Sequence, residues 1–174
     1  MPPSILVTYV TRHGATAEVA EIIGSALSEA GLPAKVASVE DPLLMGDYSA
    51  VILGAPLTLG RFPGEMHHFL SQNRHVLSAL RPWFFAFGPG TRPFDREVLR
   101  RHAERQLARH SWLRPAELQI FGRRPVVSSR RSPLSFLGHL VAFRKRAGYA
   151  MDLSEKEAIR IWAAGIGRQL RSAA

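Results

Sequence analysis

The sequence predicts a doubly wound α/β fold, in which helices cover both faces of a five-stranded parallel sheet. Three observations support this prediction. Apolar runs of strand length alternate with stretches of helical periodicity along the chain. Several of these runs are apolar throughout, which is typical of strands buried on both faces. The runs end in loops rich in glycine, proline and hydroxyl residues. We therefore expect one domain over residues 1–174, with strand order 2-1-3-4-5 and a basic insertion before the last helix.

The N-terminal part of the chain supplies three of the predicted strands. Residues 5–10 form an uninterrupted apolar run that ends in a turn, which predicts a buried parallel strand. Apolar residues at helical spacing predict a helix over residues 16–30, and a glycine follows as its natural C-terminal cap. The second strand is predicted at 34–39, directly after a proline, and the third at 50–54, which is apolar throughout. Residues 40–48 are expected to form a short connection.

The C-terminal part supplies the other two strands. A helix is predicted over residues 65–77, followed by an aromatic-rich strand at 82–87. An arginine-rich helix is predicted over 94–110 and the fifth strand at 118–121. The last helix is expected to start at about Ser154, because Ser154 and Glu157 have the spacing of a capping box. Its expected buried face consists of Ile159, Trp162, Ala163, Ile166 and Leu170.

Residues 11–16 join the first strand to the first helix and have the composition of an anion-binding turn. A helix N-terminus offers unpaired N–H groups and the positive end of the helix dipole. Gly14 permits a tight backbone bend, and Thr11 and Thr16 bring hydroxyl donors. The pattern suggests a site for one phosphate group. The alternative is an ordinary strand-to-helix turn that a threonine caps.

Two further loops follow the third and fourth predicted strands. Residues 55–64 and 88–91 have the glycine and proline content of shaped loops. In doubly wound sheets, ligands bind beyond the carboxyl ends of the strands at the topological switch point, which for this order lies between strands one and three. The loops that start at Thr11 and Ala55 meet there, and the loop at Gly88 lies next to them. The three loops therefore predict one ligand site.

The net charge of +9 is concentrated before the last helix. Residues 122–151 contain seven basic and no acidic residues, so the rest of the chain carries only +2. The apolar series that starts at Phe136 is followed by Arg144, Lys145 and Arg146. An apolar face beside cations suits an anionic membrane surface or an amphipathic anionic substrate. The alternative is a segment that packs on the sheet and exposes its charges to water.

Over nearly its whole length the sequence resembles the flavodoxin family. The resemblance rests on residues 9–20, on 51–56 together with Gly60 and Arg61, and on 87–90. More narrowly, the chain is similar to the flavodoxin-type protoporphyrinogen oxidases and the bacterial flavodoxin-domain proteins grouped with them. That branch shares a Thr/Ser-Arg/Lys-x-Gly-x-Thr loop, a basic insertion before the last helix, and a closing helix that contains a segment of the kind found here at residues 158–163.

The resemblance implies that the cofactor is FMN. The first loop would surround its phosphate with Thr11, Arg12, His13, Gly14, Ala15 and Thr16. The second loop would lie against one side of the isoalloxazine ring with Pro56, Leu57, Thr58, Leu59 and Gly60. The third loop would lie on the other side with Gly88, Pro89, Gly90 and Thr91. Ordinary flavodoxins usually place aromatic residues in these two loops, so the leucines and small residues here imply a more open ring.

The flavin would carry the chemistry, and no catalytic side chain is assigned. The resemblance implies that the protein oxidises protoporphyrinogen IX or a related tetrapyrrole and passes electrons to a quinone. The propionates of such an anionic tetrapyrrole suit arginine. Peripheral membrane contact is expected through the segment from Phe136 to Arg146. Two alternatives are a non-catalytic FMN electron carrier and a flavodoxin-fold binding module without a cofactor. Ordinary flavodoxins are usually acidic, so the charge of +9 argues against a shuttle that docks on basic partners.

Several classes of site are not expected. The absence of cysteine excludes disulfides and thiolate chemistry. No metal site is expected, because His67 and His68 are adjacent and point to different faces of their helix. His102 and His110 are expected on a solvated helix surface. The chain lacks a signal segment and any apolar run near about 20 residues, so the expected location is the cytoplasm, free or at the inner face of the membrane. Nucleic-acid binding is not expected, since no recognition motif is present.

Overall fold

The computed structural model describes residues 4–89, 93–123 and 151–173. Within these residues, a five-stranded parallel sheet has the order β2-β1-β3-β4-β5, which confirms the predicted fold class and strand order. The strands are β1 (Ile5–Tyr9), β2 (Ala34–Ser38), β3 (Ala50–Pro56), β4 (Trp83–Pro89) and β5 (Glu117–Arg123). The helices are α1 (Ala15–Glu29), α2 (Gly64–Gln72), α3 (Arg74–Leu80), α4 (Pro93–Leu107) and α5 (Leu153–Ser172), with one 3-10 turn at Met45–Asp47.

Each face of the sheet carries its own apolar core, because successive side chains of a strand point to opposite faces. In β1, Ile5 and Val7 lie in the core that α1 and α5 cover. Leu6 belongs to the other core, which α2, α3 and α4 cover. The central strands are therefore buried on both faces, as their continuous apolar sequences predict.

The predicted helix over residues 65–77 is in fact two helices. Asn73 separates α2 from α3, and its side-chain nitrogen donates to the carbonyl oxygen of Phe69 at 2.9 Å. This local bond competes with a continuous helical ladder, which explains the break. The predicted capping box of the last helix is also wrong, because Asp152 is the N-cap and its carboxylate accepts from the Ser154 N–H at 3.4 Å. The buried face of α5 is confirmed, with Leu170 half-buried against the same core.

A glycine and an aromatic ring form one unit at the centre of the sheet. Gly54 in β3 is directly opposite Phe85 in β4. A Cβ placed at position 54 would lie 2.0 Å from Cζ of Phe85, so the ring fills the space that any larger residue would need. The same ring contacts Phe121 and Trp162, at centroid distances of 6.2 and 6.4 Å. The ring thereby links the two inner strands to β5 and α5.

No helix in the described ranges has the length and apolar character needed to cross a bilayer. The segment from Phe136 to Arg146, predicted to contact a membrane, lies outside the described residues.

Candidate functional site

The first loop, residues 11–16, turns directly from β1 into α1. Gly14 has φ 83° and its N–H donates to the Thr11 hydroxyl oxygen at 3.0 Å. This left-handed conformation favours glycine, which explains the residue type at the bend. No side chain caps the N-terminus of α1, and Thr16 lies buried inside the helix. The alternative in which a threonine caps the helix is therefore not what the structure shows.

An uncapped helix start is suited to an anion. The N–H groups of the first turn have no intrahelical acceptor, and the helix dipole places partial positive charge there. The Thr11 hydroxyl accepts from Gly14 and keeps its own hydrogen for another acceptor. Arg12 and His13 are exposed beside it, and Arg12 forms a 3.9 Å ion pair with Glu65 at the start of α2. The geometry fits a single phosphate group.

The second loop, residues 56–60, contains a tight hairpin turn next to the first loop. Thr58 and Arg61 exchange two backbone hydrogen bonds of 3.0 Å, and we call this hairpin the 58–61 turn. Its two central residues, Leu59 and Gly60, have φ 50° and 74°. Positive φ at both positions is the requirement of the commonest two-residue hairpin. The Leu59 side chain is 97% exposed, so the turn presents an apolar group to solvent.

Backbone hydrogen bonds bring the first and second loops to the same edge of the sheet. Val10, directly before the first loop, donates from its N–H to the Gly54 carbonyl oxygen at 2.9 Å. Leu57, in the second loop, donates to the Phe87 carbonyl oxygen at 2.7 Å. Pro56 ends β3 and is paired with Phe87 in β4. The uncapped start of α1 and the exposed Leu59 thus follow the neighbouring strands β1 and β3, at the switch point of the sheet.

The third loop is described only in part. Gly88 and Pro89 end β4, whereas Gly90 and Thr91 lie outside the described residues. A Cβ at Gly88 would lie 3.0 Å from both δ-carbons of Leu99, so α4 packs closely on this end of the strand. The structure therefore brings the first two predicted loops together and places the start of the third on the adjacent strand.

Tyr9, at the end of the strand that leads into the first loop, has a raised pKa. Tyr9 ends β1 and is half-buried. Burial raises the pKa of its phenol above 10.0, and the charges of Glu21 and Asp41 raise it further. Tyr9 is therefore a neutral hydrogen-bonding group at physiological pH.

The sequence pattern does not predict that His67 contacts His110, or that His102 contacts the second loop. His67 Nδ1 and His110 Nε2 are 2.9 Å apart, and His67 Nε2 lies 3.2 Å from Gln106 Oε1. His102 lies against Gly60 of the 58–61 turn. The prediction of a solvated helix surface for His102 and His110 is wrong, because both are half-buried. Helical spacing indicates that they share a face, but the sequence does not show which element covers it.

The described residues contain no group of three or more histidine or acidic side chains placed to hold a metal ion.

Comparison with known proteins gives one sequence family and several solved structures. A family model described as a flavodoxin domain matches residues 6–125. No curated protein matches the sequence. A flavodoxin from the domain Archaea aligns with TM-score 0.58 and 14% identity, covering 97% of this chain and 99% of that chain. Oxidised Flavodoxin 2 from Bacillus cereus aligns with TM-score 0.61 and 16% identity, covering 95% and 99%.

A third solved structure is a longer chain. The Flv1 flavodiiron core from Synechocystis aligns with TM-score 0.62 and 12% identity, covering 99% of this chain but 37% of that chain. At identities this low, the alignments establish a shared fold.

Proposed function

The chain belongs to the flavodoxin-domain family, with FMN as its cofactor, and we propose that it is an electron carrier that holds FMN at the first and second loops. The observation that carries this proposal is the uncapped N-terminus of α1 beside the exposed Leu59. One is a phosphate-sized anion site and the other an apolar contact for a flat ring. Their separate chemistry matches the two ends of FMN.

At the phosphate end, the backbone N–H groups of Ala15 and Thr16 are the proposed donors. The Thr11 hydroxyl is a third donor, since its oxygen is already oriented by Gly14. Arg12 and His13 contribute from the exposed rim of the loop. For Arg12 to contact the phosphate directly, its guanidinium has to leave the ion pair with Glu65. That ion pair is long and exposed, so it is weak.

At the ring end, Pro56, Leu57, Thr58, Leu59 and Gly60 are proposed to line one side of the isoalloxazine, and the third loop, from Gly88 to Thr91, the other. Leu59 supplies apolar area without an aromatic face. When bound, the flavin supplies reversible electron acceptance and donation. The residues of the chain orient the ring and leave its edge open to a partner protein.

The test is retention of FMN by the purified protein through gel filtration, read from its visible absorption. Gly14→Val combined with Thr16→Ala is expected to abolish retention, because valine is strained at positive φ and the loop loses its shape. Gly31→Val is the matched control, since Gly31 also has positive φ (76°) and open space but lies at the far end of α1. Retention by the double variant, or equal loss in the control, would move the site elsewhere.

Protoporphyrinogen oxidation is the second candidate function. It is supported by the sequence resemblance to that branch and by the seven basic residues of segment 122–151, which suit propionates. Anaerobic addition of porphyrinogen and a quinone to the FMN-loaded protein tests it. Growth of porphyrin fluorescence identifies an enzyme. Flat fluorescence, together with reduction of the protein by a flavoprotein reductase, identifies a carrier.

The gel-filtration test also has a third outcome. If the protein is folded but retains no FMN, both redox proposals fail and the fold serves as a binding module.

A further inference from the structure

Two histidines join α2 to the chain just after α4, away from the cofactor loops. The rings of His67 and His110 are nearly parallel, with an interplanar angle of 21° and centroids 5.2 Å apart. Since the carboxamide oxygen of Gln106 only accepts, His67 carries its hydrogen on Nε2. The neutral His67 then accepts at Nδ1 from the Nε2–H of His110, over 2.9 Å. A single hydrogen bond between two imidazoles therefore connects α2 to the chain just after α4.

The surroundings of this pair oppose positive charge. Burial, His67 and Arg109 lower the pKa of His110 below 6.5. Trp112 contacts His110 edge-on at 5.8 Å, and the guanidinium of Arg74 lies 5.9 Å from the centre of the Trp112 ring. Within the described ranges, no carboxylate forms a hydrogen bond or ion pair with either histidine. The neutral pair is therefore the form that this packing favours.

Two residues link the surroundings of the pair to the 58–61 turn. Phe62 directly follows the turn, and its ring lies 6.4 Å from that of His67 and 5.4 Å from that of Phe84. On α4, the ring of His102 lies so close to Gly60 that a Cβ there would be 2.7 Å from its Nδ1. His102 and Gln106 are four residues apart on α4, which places them on one face, and His110 follows the end of the helix. The turn is thus followed directly by Phe62, which packs against His67, and it contacts His102 of α4.

We propose that the His67–His110 pair is a proton-sensitive support for the 58–61 turn, so that the protein holds FMN less tightly as pH falls. The inference rests on the proposed function, because it takes the turn to lie against the flavin ring. A proton added at the free Nδ1 of His110 places a positive charge where burial and Arg109 oppose it. His110 then moves toward water and away from His67, so the contact between α2 and the chain after α4 is lost and the 58–61 turn loses part of its support.

The direction of the effect follows from the direction of the pKa shift. The pKa of His110 is lowered in the folded protein, so the pair supports the 58–61 turn fully at pH values above 6.5, the ordinary pKa of histidine. This support is lost as pH falls through the lowered value. His68 is the neighbouring residue on α2 and is exposed, so it is the matched control position.

The first experiment uses the cofactor-free protein and follows the backbone amide of Gly60 by NMR while pH is lowered. Its shift is expected to contain a component whose midpoint matches the ring signals of His110. That component should vanish in His110→Gln, in which the amide still donates to His67, and persist in His68→Gln. The component due to the adjacent His102 ring should remain in both variants. His67→Gln is a second variant with the same expected loss.

The second experiment measures the FMN dissociation constant at about pH 7.5 and about pH 5.5, the range in which histidine titrates. FMN phosphate also titrates near pH 6, so the wild type is compared with the variants at each pH. The wild type is expected to weaken about three- to tenfold more than His110→Gln, with His68→Gln behaving like the wild type.

The two experiments separate this inference from the proposed function. A Gly60 shift without the His110 component overturns the inference, whether or not FMN binds. If the Gly60 shift contains the His110 component but the protein binds no FMN, the proposed function is overturned, while the coupling between His110 and the 58–61 turn stands. Equal pH dependence in the wild type and His110→Gln also overturns the inference.

Discussion

Thr8 places a fully buried hydroxyl in the middle of β1, with no hydrogen-bond partner in the described part of the chain. Its neighbours on the adjacent strands are Ala37 and Leu53. Burying a hydroxyl without a partner costs about 1–3 kcal/mol. Thr8→Val keeps the shape and removes the polar atom, so it should raise the free energy of unfolding by about 1 kcal/mol in urea denaturation. Thr8→Ser, which keeps the hydroxyl and loses the methyl group, should lower it.

Leu59 combines backbone strain with exposure. A non-glycine residue at φ 50° costs about 1–2 kcal/mol, and its side chain gains no burial in the protein alone. We expect Leu59→Gly to stabilise the cofactor-free protein by up to about 1 kcal/mol and to weaken FMN binding, because the apolar contact is lost. Thermal unfolding and FMN titration measure the two effects.

Leu59→Ala is the control for that variant. It keeps the strained backbone, so it should weaken FMN binding without the gain in stability. A Leu59→Gly variant that binds FMN as tightly as the wild type would show that the side chain does not contact the ring.

At the scale of elements, one buried carboxylate holds three of them together. Glu155 in α5 accepts from the Gly122 N–H of β5 at 2.8 Å and from Arg96 of α4 at 2.5 Å. It is 5% exposed, so loss of its charge leaves Arg96 without a buried partner. Glu155→Gln should lower the free energy of unfolding by about 3 kcal/mol. The control is Glu157→Gln, at an exposed position two residues further along α5, which should change the free energy of unfolding by less than about 0.5 kcal/mol. Similar losses in the two variants would contradict the role of Glu155.

The sequence predicts the elements well where a local pattern determines them. Every predicted strand is present, and the central strands β1, β3 and β4 are buried on both faces, as their apolar runs predict. β5 exceeds the predicted 118–121 at both ends, since pairing with β4 extends from Glu117 to Arg123 whatever the local propensity. The break at Asn73 and the cap at Asp152 depend on single side-chain hydrogen bonds, which apolar periodicity does not reveal.

At the scale of the whole molecule, the charge of +9 is carried mostly by segment 122–151. Changing Arg144, Lys145 and Arg146 to glutamine is expected to weaken binding to vesicles of anionic lipid by about 3 kcal/mol, roughly a hundredfold at low salt. The matched control changes three exposed cations elsewhere, Arg101, Arg105 and Arg114. Co-sedimentation with vesicles measures both, and an equal loss in the two triple variants would remove the special role of the segment.

The ligand site is predicted from the sequence only as far as topology determines it. Strand order alone brings the loops after β1 and β3 together, because these strands are neighbours and parallel. The contact between His67 and His110 spans 43 residues and depends on how α2 meets the end of α4. Side-chain packing determines that crossing, and no periodic pattern in one chain encodes it.

The Phe85 ring over Gly54 also restricts the order in which these two positions can evolve. A methyl group at position 54 would meet the ring at 2.0 Å, so Gly54→Ala alone is expected to be eliminated by selection. Phe85→Leu alone opens a cavity, which is costly but survivable in a stable background. A lineage can therefore enlarge position 54 only after position 85 has shrunk. Among homologues, the two positions should covary, with glycine retained wherever the ring is present.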